Sequence, residues 1–257
     1  MPRLTKRNYL SPTNKHISNS KIGDWLKDKH YFYRKNWIGD VTREITDSLI
    51  MGSAVDCWIM NGEKVFRDEY MLVSRRSRKE DGYEFQLNQT MYNSVEKMAR
   101  NIIMQDAYKK LRGFTSQKIL QVDDPIGIFP GLCGMIDWFK IYDKEKPKRA
   151  VIVDLKTAKD ASPDKYFYHC RDFGYYRQLA FYYMLINHHY GVEFKDFTFR
   201  HLVVEKDGLD INNVYAFEFE PRIILDALAE LKEILADIAK ETKFKPHDAK
   251  WEDAIKI

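Results

Sequence analysis

Cysteine is scarce in this chain. Three occur in 257 residues (Cys57, Cys133 and Cys170), far apart and without CxxC spacing. A structural zinc or an iron–sulfur cluster needs four ligands, so this pattern argues against both and leaves buried or idle reduced thiols. Long apolar runs are also lacking. The longest, residues 179–186, is far short of the ~20 residues that cross a bilayer, so no membrane partner is expected. The basic opening Met1-Pro-Arg-Leu-Thr-Lys-Arg7 is followed by no apolar segment of the kind a secretory leader carries, and the expected location is cytoplasmic. There is no internal repeat, no low-complexity tract and no linker rich enough to divide the chain.

Neither charge sign dominates. Lys and Arg number 42 against 38 Asp and Glu, for a net +4, which permits an anionic partner without demanding one. Clustering says more. Arg75-Arg76-Ser77-Arg78-Lys79, then Lys109, Lys110 and Arg112, then Lys144 to Arg149 are three basic groups. Each taken singly reads as a solvated surface run, and together they favour a phosphate-binding face. A hydrophobic share of 44% supports a substantial core.

The pattern along the chain predicts one unit. Residues 1–17 form a loose lead-in, 18–112 a mainly helical portion, 113–241 an α/β core and 242–257 a C-terminal tail. Ser18-Asn-Ser20 offers an N-cap for a helix to about Lys29 with Ile22, Trp25 and Leu26 on one face. A helix is expected over 48–60, and mixed short strands or loops over 61–87. Asn93-Ser-Val-Glu96 reads as a capping box opening a helix to about Arg112, with Val95, Met98 and Ile102 in helical register. Strands over 131–142 and 149–157 form a hairpin across the polar turn Lys144-Glu-Lys-Pro147. A helix over 172–190 stops at Gly191. Strands near 197–205 and 213–219 flank a turn at Lys206-Asp-Gly208, and a last helix runs from Pro221 at N1 to about Lys240. Its buried stripe is Ile224, Leu228, Leu231, Leu235 and Ile238.

The chemistry concentrates in the hairpin. In Arg149-Ala-Val-Ile-Val-Asp-Leu-Lys-Thr157 a buried-type strand ends with Asp154 and Lys156 two residues apart, on one face. Charged groups on such a strand need partners. Asp137 sits among apolar residues of the preceding strand. It either pairs with a cation or joins Asp154 as a metal ligand, because two facing carboxylates repel and a divalent cation removes that cost. All-oxygen ligation suits Mg²⁺, with Mn²⁺ as the other candidate. On the following helix Gln178 and Tyr182 share a face with Tyr175. For the tyrosines core packing competes with a functional role. Gln178 is harder to explain as core and is placed to bond a phosphate or to orient Lys156.

Gly134-Met-Ile-Asp137, Asp154-Leu-Lys156 and Gln178-Leu-Ala-Phe-Tyr182 together resemble the PD-(D/E)XK nuclease superfamily, and the trailing Gln-x-x-x-Tyr resembles its RecB-like branch. Ile17-Ser-Asn-Ser20 is similar to that branch's opening Ser-x-Ser helix, and Met51-Gly-Ser-Ala-Val-Asp56 to its Gly-x-x-x-His helix. The spacing is closest to phage RecE-type exodeoxyribonuclease domains. The resemblance implies a restriction-endonuclease-like α/β core, a mixed central sheet flanked by helices, behind an N-terminal helical portion. It implies a Mg²⁺-dependent deoxyribonuclease in a bacterial or phage-infected cell, acting on duplex DNA ends in recombination or end processing. A single-strand annealing protein and a homo-oligomer are the further partners it suggests. Asp137, Asp154, Lys156, Gln178 and Tyr182 would be catalytic, with metal held by Asp56, Asp137, Asp154 and the Leu155 backbone carbonyl. Asp56 stands where the branch usually has a histidine. An endonuclease of restriction or repair type, and a catalytically silent DNA-binding factor with the same fold, are the alternatives.

Overall fold

The computed structural model of the protein describes residues 6–9, 11, 13–42, 45–74, 86–123, 131–206 and 213–242. The chain opens with helices: α1 (Lys6–Tyr9), α2 (Asn19–Lys27), α3 (Lys29–Tyr33) running into a π-helical turn at Arg34–Ile38, α4 (Asp47–Asn61) and α5 (Glu63–Glu69). Ser18 caps α2 by accepting from the Lys21 N–H, and Thr46 caps α4 through the Leu49 N–H. Such caps satisfy amide groups that a first helical turn leaves open. A two-residue parallel pair, β1 (Met71–Leu72) and β2 (Gln86–Leu87), precedes α6 (Gln89–Met104) and α7 (Asp106–Lys109).

The central sheet follows: β3 (Thr115–Asp123), β4 (Gly131–Tyr142), β5 (Arg149–Ala158), β6 (Phe197–Glu205) and β7 (Val214–Glu218), lying side by side in that order. Only β5 and β6 run parallel; the other neighbours are antiparallel. The crossover between β5 and β6 carries α8 (Pro163–Asp172) and α9 (Tyr175–Tyr190), as a parallel pair requires. The last helix is α10 (Pro221–Thr242).

Both faces of the sheet are covered, which explains why β5 reads as a continuous apolar run. Ala150 and Ile152 pack in one core with α2, α9 and α10. Val151, Val153 and Leu155 pack in another with α4, α5 and α6. All five residues expected on the α10 stripe, from Ile224 to Ile238, are buried there.

Several expectations are corrected. The helix over 93–112 is two: α6 starts four residues earlier, capped by Asn88 accepting from Met91 N–H at 2.9 Å, and it ends before α7. Asn93 is therefore inside the helix, where its side chain bonds Gln89 rather than a backbone amide. The helix over 172–190 begins at Tyr175, because Gly174 takes a left-handed φ of +65° and separates it from α8. Within the 61–87 stretch, Glu63–Glu69 is helical. Leu26 is 48% exposed while Ile22 and Trp25 are buried. Ile17, assigned to the lead-in, is fully buried and bridges Leu132 of β4. The Arg75–Lys79 group, residues 207 and 208 of the Lys206–Gly208 turn, and the tail beyond 242 lie outside the described residues. Among the described residues no helix is long and apolar enough to cross a membrane.

Candidate active site

The parallel partner strand fixes β5 beyond its antiparallel pairing with β4. The β4–β5 ladder runs from Tyr142–Arg149 to Trp138–Val153 and stops there, while β5 stays paired with β6 as far as Ala158–Glu205. Asp137 and Asp154 thus sit where the two strands part. The Leu155 N–H, released from the ladder, donates to Asp137 Oδ2 at 2.8 Å. Leaving that amide unpaired would cost roughly 1–3 kcal/mol, so the bond both satisfies the backbone and holds the carboxylate.

On the α9 side of β5, Asp154 is 1% exposed. Its Oδ2 pairs with the Lys156 ammonium. Lys156 Nζ also donates to Gln178 Oε1 at 2.9 Å. The Gln178 amide N–H₂ donates to the Tyr182 hydroxyl at 2.8 Å and, more weakly, to Asp154 Oδ1 at 3.4 Å. The same ammonium lies 4.6 Å from the centre of the Tyr175 ring. Four of the five residues expected to be catalytic therefore form one bonded network. Asp137 joins it through the peptide between Asp154 and Lys156.

The helix that carries Gln178 and Tyr182 comes close to the sheet because β4 has a glycine beneath it. A Cβ on Gly134 would lie 2.8 Å from Leu185 Cδ1 and within 3.4 Å of the Phe181 and Tyr182 rings. At the other end, Arg177 of α9 donates to Asn19 Oδ1 at 3.3 Å. This ties the network to the Ser18-Asn-Ser20 opening of α2, where the two serine hydroxyls bond each other at 2.9 Å.

Electrostatics mark the same place. Burial pushes the Asp137 carboxyl well above the ordinary carboxylate range, and the charges of Asp154 and Asp56 push it further. Burial works against the Lys156 ammonium, yet Asp154, Asp137 and Tyr175 together hold its pKa above the usual lysine value. Tyr182 is raised chiefly by burial. Asp56, on α4, is thus close enough to act on Asp137, and it accepts from Gln117 Nε2 at 3.4 Å.

Gln117 was not anticipated. It falls opposite Asp137 in the β3–β4 register, at the one gap between Ser116–Trp138 and Lys118–Ile136. Its φ is +45°, an uncommon backbone for a residue with a side chain and one that is enriched at active sites. No sequence signal marks it, because β3 itself carries only a weak alternation.

Asp137, pushed upward by the charges of Asp154 and Asp56, forms with them an all-oxygen donor set, and such a set fits a hard divalent cation. Among the described residues no three His, Cys, Asp or Glu side chains stand together as a ready cage. What the structure shows is the repulsion such a cation would relieve.

The family model of the PDDEXK-like domain of unknown function (DUF3799) matches residues 18–255. The chain belongs to this family. The PDDEXK-like fold is seen again in a crystal structure of a Eubacterium rectale protein described as a "putative exonuclease". It superposes with a TM-score of 0.70 at 17% identity, covering 100% of this chain and 95% of that one. At that identity the likeness shows the fold. No curated protein gave a significant match. The mixed five-stranded sheet with helices on both faces is thus a PD-(D/E)XK core, as the motifs implied.

Proposed function

We propose that this PDDEXK-like chain is a metal-dependent exonuclease that hydrolyses phosphodiester bonds of linear double-stranded DNA, as in phage-type recombination or end processing. One observation carries the reading: the partly buried Asp154–Lys156–Gln178–Tyr182 network, joined to Asp137 through the Leu155 N–H. The exonuclease description of the structural neighbour, and the spacing shared with RecE-type domains, support the finer assignment.

Asp137, Asp154, Asp56 and the Leu155 carbonyl would hold Mg²⁺ or Mn²⁺. When bound, such a cation makes a coordinated water more acidic and offsets charge on the scissile phosphate. The other work belongs to the chain. Lys156 would orient or deprotonate the attacking water and help stabilise negative charge developing on the phosphate. Gln178 fixes the ammonium, and Tyr182 fixes Gln178. No role in this scheme reads a base, so cleavage should show little sequence preference.

The test is digestion of end-labelled linear duplex with Mg²⁺ or Mn²⁺ by wild type, Asp154→Asn and Lys156→Met. Loss of a preorganised charge contact costs roughly 10²–10³ in rate, and each variant should fall by at least that much. A variant as active as wild type would sink the assignment. A covalently closed circle should survive while its linear form disappears. Cutting of the circle would instead establish the endonuclease alternative, and binding without cleavage the silent DNA-binding factor.

A further inference from the structure

Behind Lys156 lies a buried polar group that the scheme above does not use. His201 of β6 is 1% exposed and pairs with Asp154 in the parallel ladder, so the two side chains stand next to each other on one face of the sheet. Aromatic rings enclose it. Phe219 packs edge-on at 4.7 Å, Tyr175 at 5.8 Å and Tyr166 at 5.9 Å between centroids. Its Nδ1 is 2.6 Å from the Tyr166 hydroxyl. Its Nε2 is buried and has no hydrogen-bond partner.

The proton on this imidazole can be placed by argument. An imidazolium here would bury a charge with one N–H unpaired, so the ring is neutral and carries one N–H. Were that N–H on Nε2, a buried donor would be left unsatisfied in the field of a nearby ammonium. Both effects are unfavourable. With the N–H on Nδ1, it donates to the Tyr166 oxygen. Tyr166 can then turn its own proton toward Cys170, one turn further along α8. Nε2 is left as a bare lone pair, the only group on the ring that a cation favours.

Lys156 has a use for that lone pair. The ammonium has three N–H groups. One meets Asp154 Oδ2 and one meets Gln178 Oε1, while the charge sits over Tyr175, the ring that also packs on His201. If Asp154 turns to a divalent cation, the ammonium loses its carboxylate partner in a region where an unpaired charge is costly. We propose that His201 is a positioning residue for Lys156: Tyr166 fixes its tautomer, and its Nε2 is the acceptor that keeps the ammonium in place once Asp154 is engaged elsewhere. This rests on the nuclease reading for its purpose and on the ring geometry for its form.

The two parts are tested separately. Histidine side-chain ¹⁵N spectra of the full chain should give His201 a protonated Nδ1 and a pyridine-type Nε2, whether or not the protein cleaves DNA. Tyr166→Phe should weaken that preference. A protonated Nε2 in the wild type overturns the proposal. On linear duplex, His201→Phe keeps the ring volume and removes the lone pair. It should lower kcat roughly ten- to hundredfold, the scale of a small misplacement, with KM and thermal unfolding near wild type. His201→Gln, which returns an acceptor near the Nε2 position, should recover much of the loss. Equal kcat for His201→Phe and wild type, or a Gln variant no better than Phe at matched unfolding temperature, overturns it as well. A wild-type protein that cleaves no DNA with any divalent cation defeats the nuclease reading alone, since the tautomer measurement still judges His201.

Discussion

Asp137 holds its position against two neighbouring carboxylates and against burial, and its pKa is raised for these reasons in that order of size: burial, Asp154, Asp56. The sign of the consequence follows from linkage. A carboxyl whose folded pKa lies above its unfolded value binds more protons when folded. It therefore costs stability as pH rises from the unfolded value through the folded one. Metal-free protein should lose stability through this group as pH rises above about 4, the ordinary carboxylate value. Asp137→Asn keeps an oxygen for the Leu155 N–H and removes the charge. It should be more stable than wild type at neutral pH, with a higher Tm. Added Mg²⁺ or Mn²⁺ should raise the Tm of wild type, more at pH 8 than at pH 5.5, and leave the Asn variant nearly unmoved. Differential scanning fluorimetry without and with metal reads all of this, and a metal-free Asn variant less stable than wild type at pH 8 would refute it. Residues of this kind were legible in the sequence. A carboxylate or lysine among Val, Ile and Leu stands out because burial without a partner is expensive, and that rule picked out Asp137, Asp154 and Lys156. It applied equally to His201, between Arg200 and Leu202, which passed unnoticed because a lone histidine is common in cores. Gln117 could not be found this way, since a polar residue on a half-exposed edge strand breaks no rule.

At the scale of elements, the site is built by how closely α9 approaches β4. Gly134 sets that approach, and Gly134→Ala would drive a methyl group into Leu185 Cδ1 at 2.8 Å, with the Phe181 and Tyr182 rings next in line. Overpacking of this sort costs about 1–3 kcal/mol, seen as a lower midpoint in urea with an unchanged slope. Because Tyr182 and Gln178 ride on the displaced helix, cleavage should fall further than the stability loss explains when assayed well below the unfolding temperature. Stability and activity both at wild-type level would show that α9 is not seated as described. Elements with a buried face were readable: the β4–β5 hairpin, α4 and α10 lie within two residues of their expected bounds. Two others were hidden for physical reasons. Only Leu120 and Val122 of β3 are buried, so this edge strand lacks the alternation that a half-buried strand shows. In α8, Phe167 and Tyr168 face solvent while Tyr166 and Cys170 are buried, so its aromatic run masks a helical period. The Ser162-Pro163-Asp164 start was nonetheless a visible signal, with proline at the first helical position.

Over the whole molecule the question is where a DNA backbone would lie. One of the basic groups noted in the sequence, Lys109, Lys110 and Arg112, lines two adjoining cavities of about 600 and 440 Å³ that share Leu111. Trp138, next to Asp137 in β4, lies in the larger cavity. Arg200, next to His201 in β6, lies in the smaller, with Phe114 and Tyr142. Through Trp138, Val153 and Arg200 the cavities border β4, β5 and β6 next to the residues of the site. A polyanion on this surface would release counterions from its phosphates, giving a salt slope of about −0.9 per contact on duplex DNA. Lys110→Glu/Arg112→Glu should therefore weaken binding to linear duplex at low salt, and flatten the slope of log K against log salt by roughly two contacts. The pair Lys232→Glu/Lys240→Glu on α10 makes the same change in net charge on the opposite face, and the comparison removes the effect of overall charge. Fluorescence anisotropy with metal omitted measures binding without turnover. If the two double variants lose affinity equally, the α7 face is not the track, and the attraction belongs to the net charge of the protein rather than to a surface built for DNA.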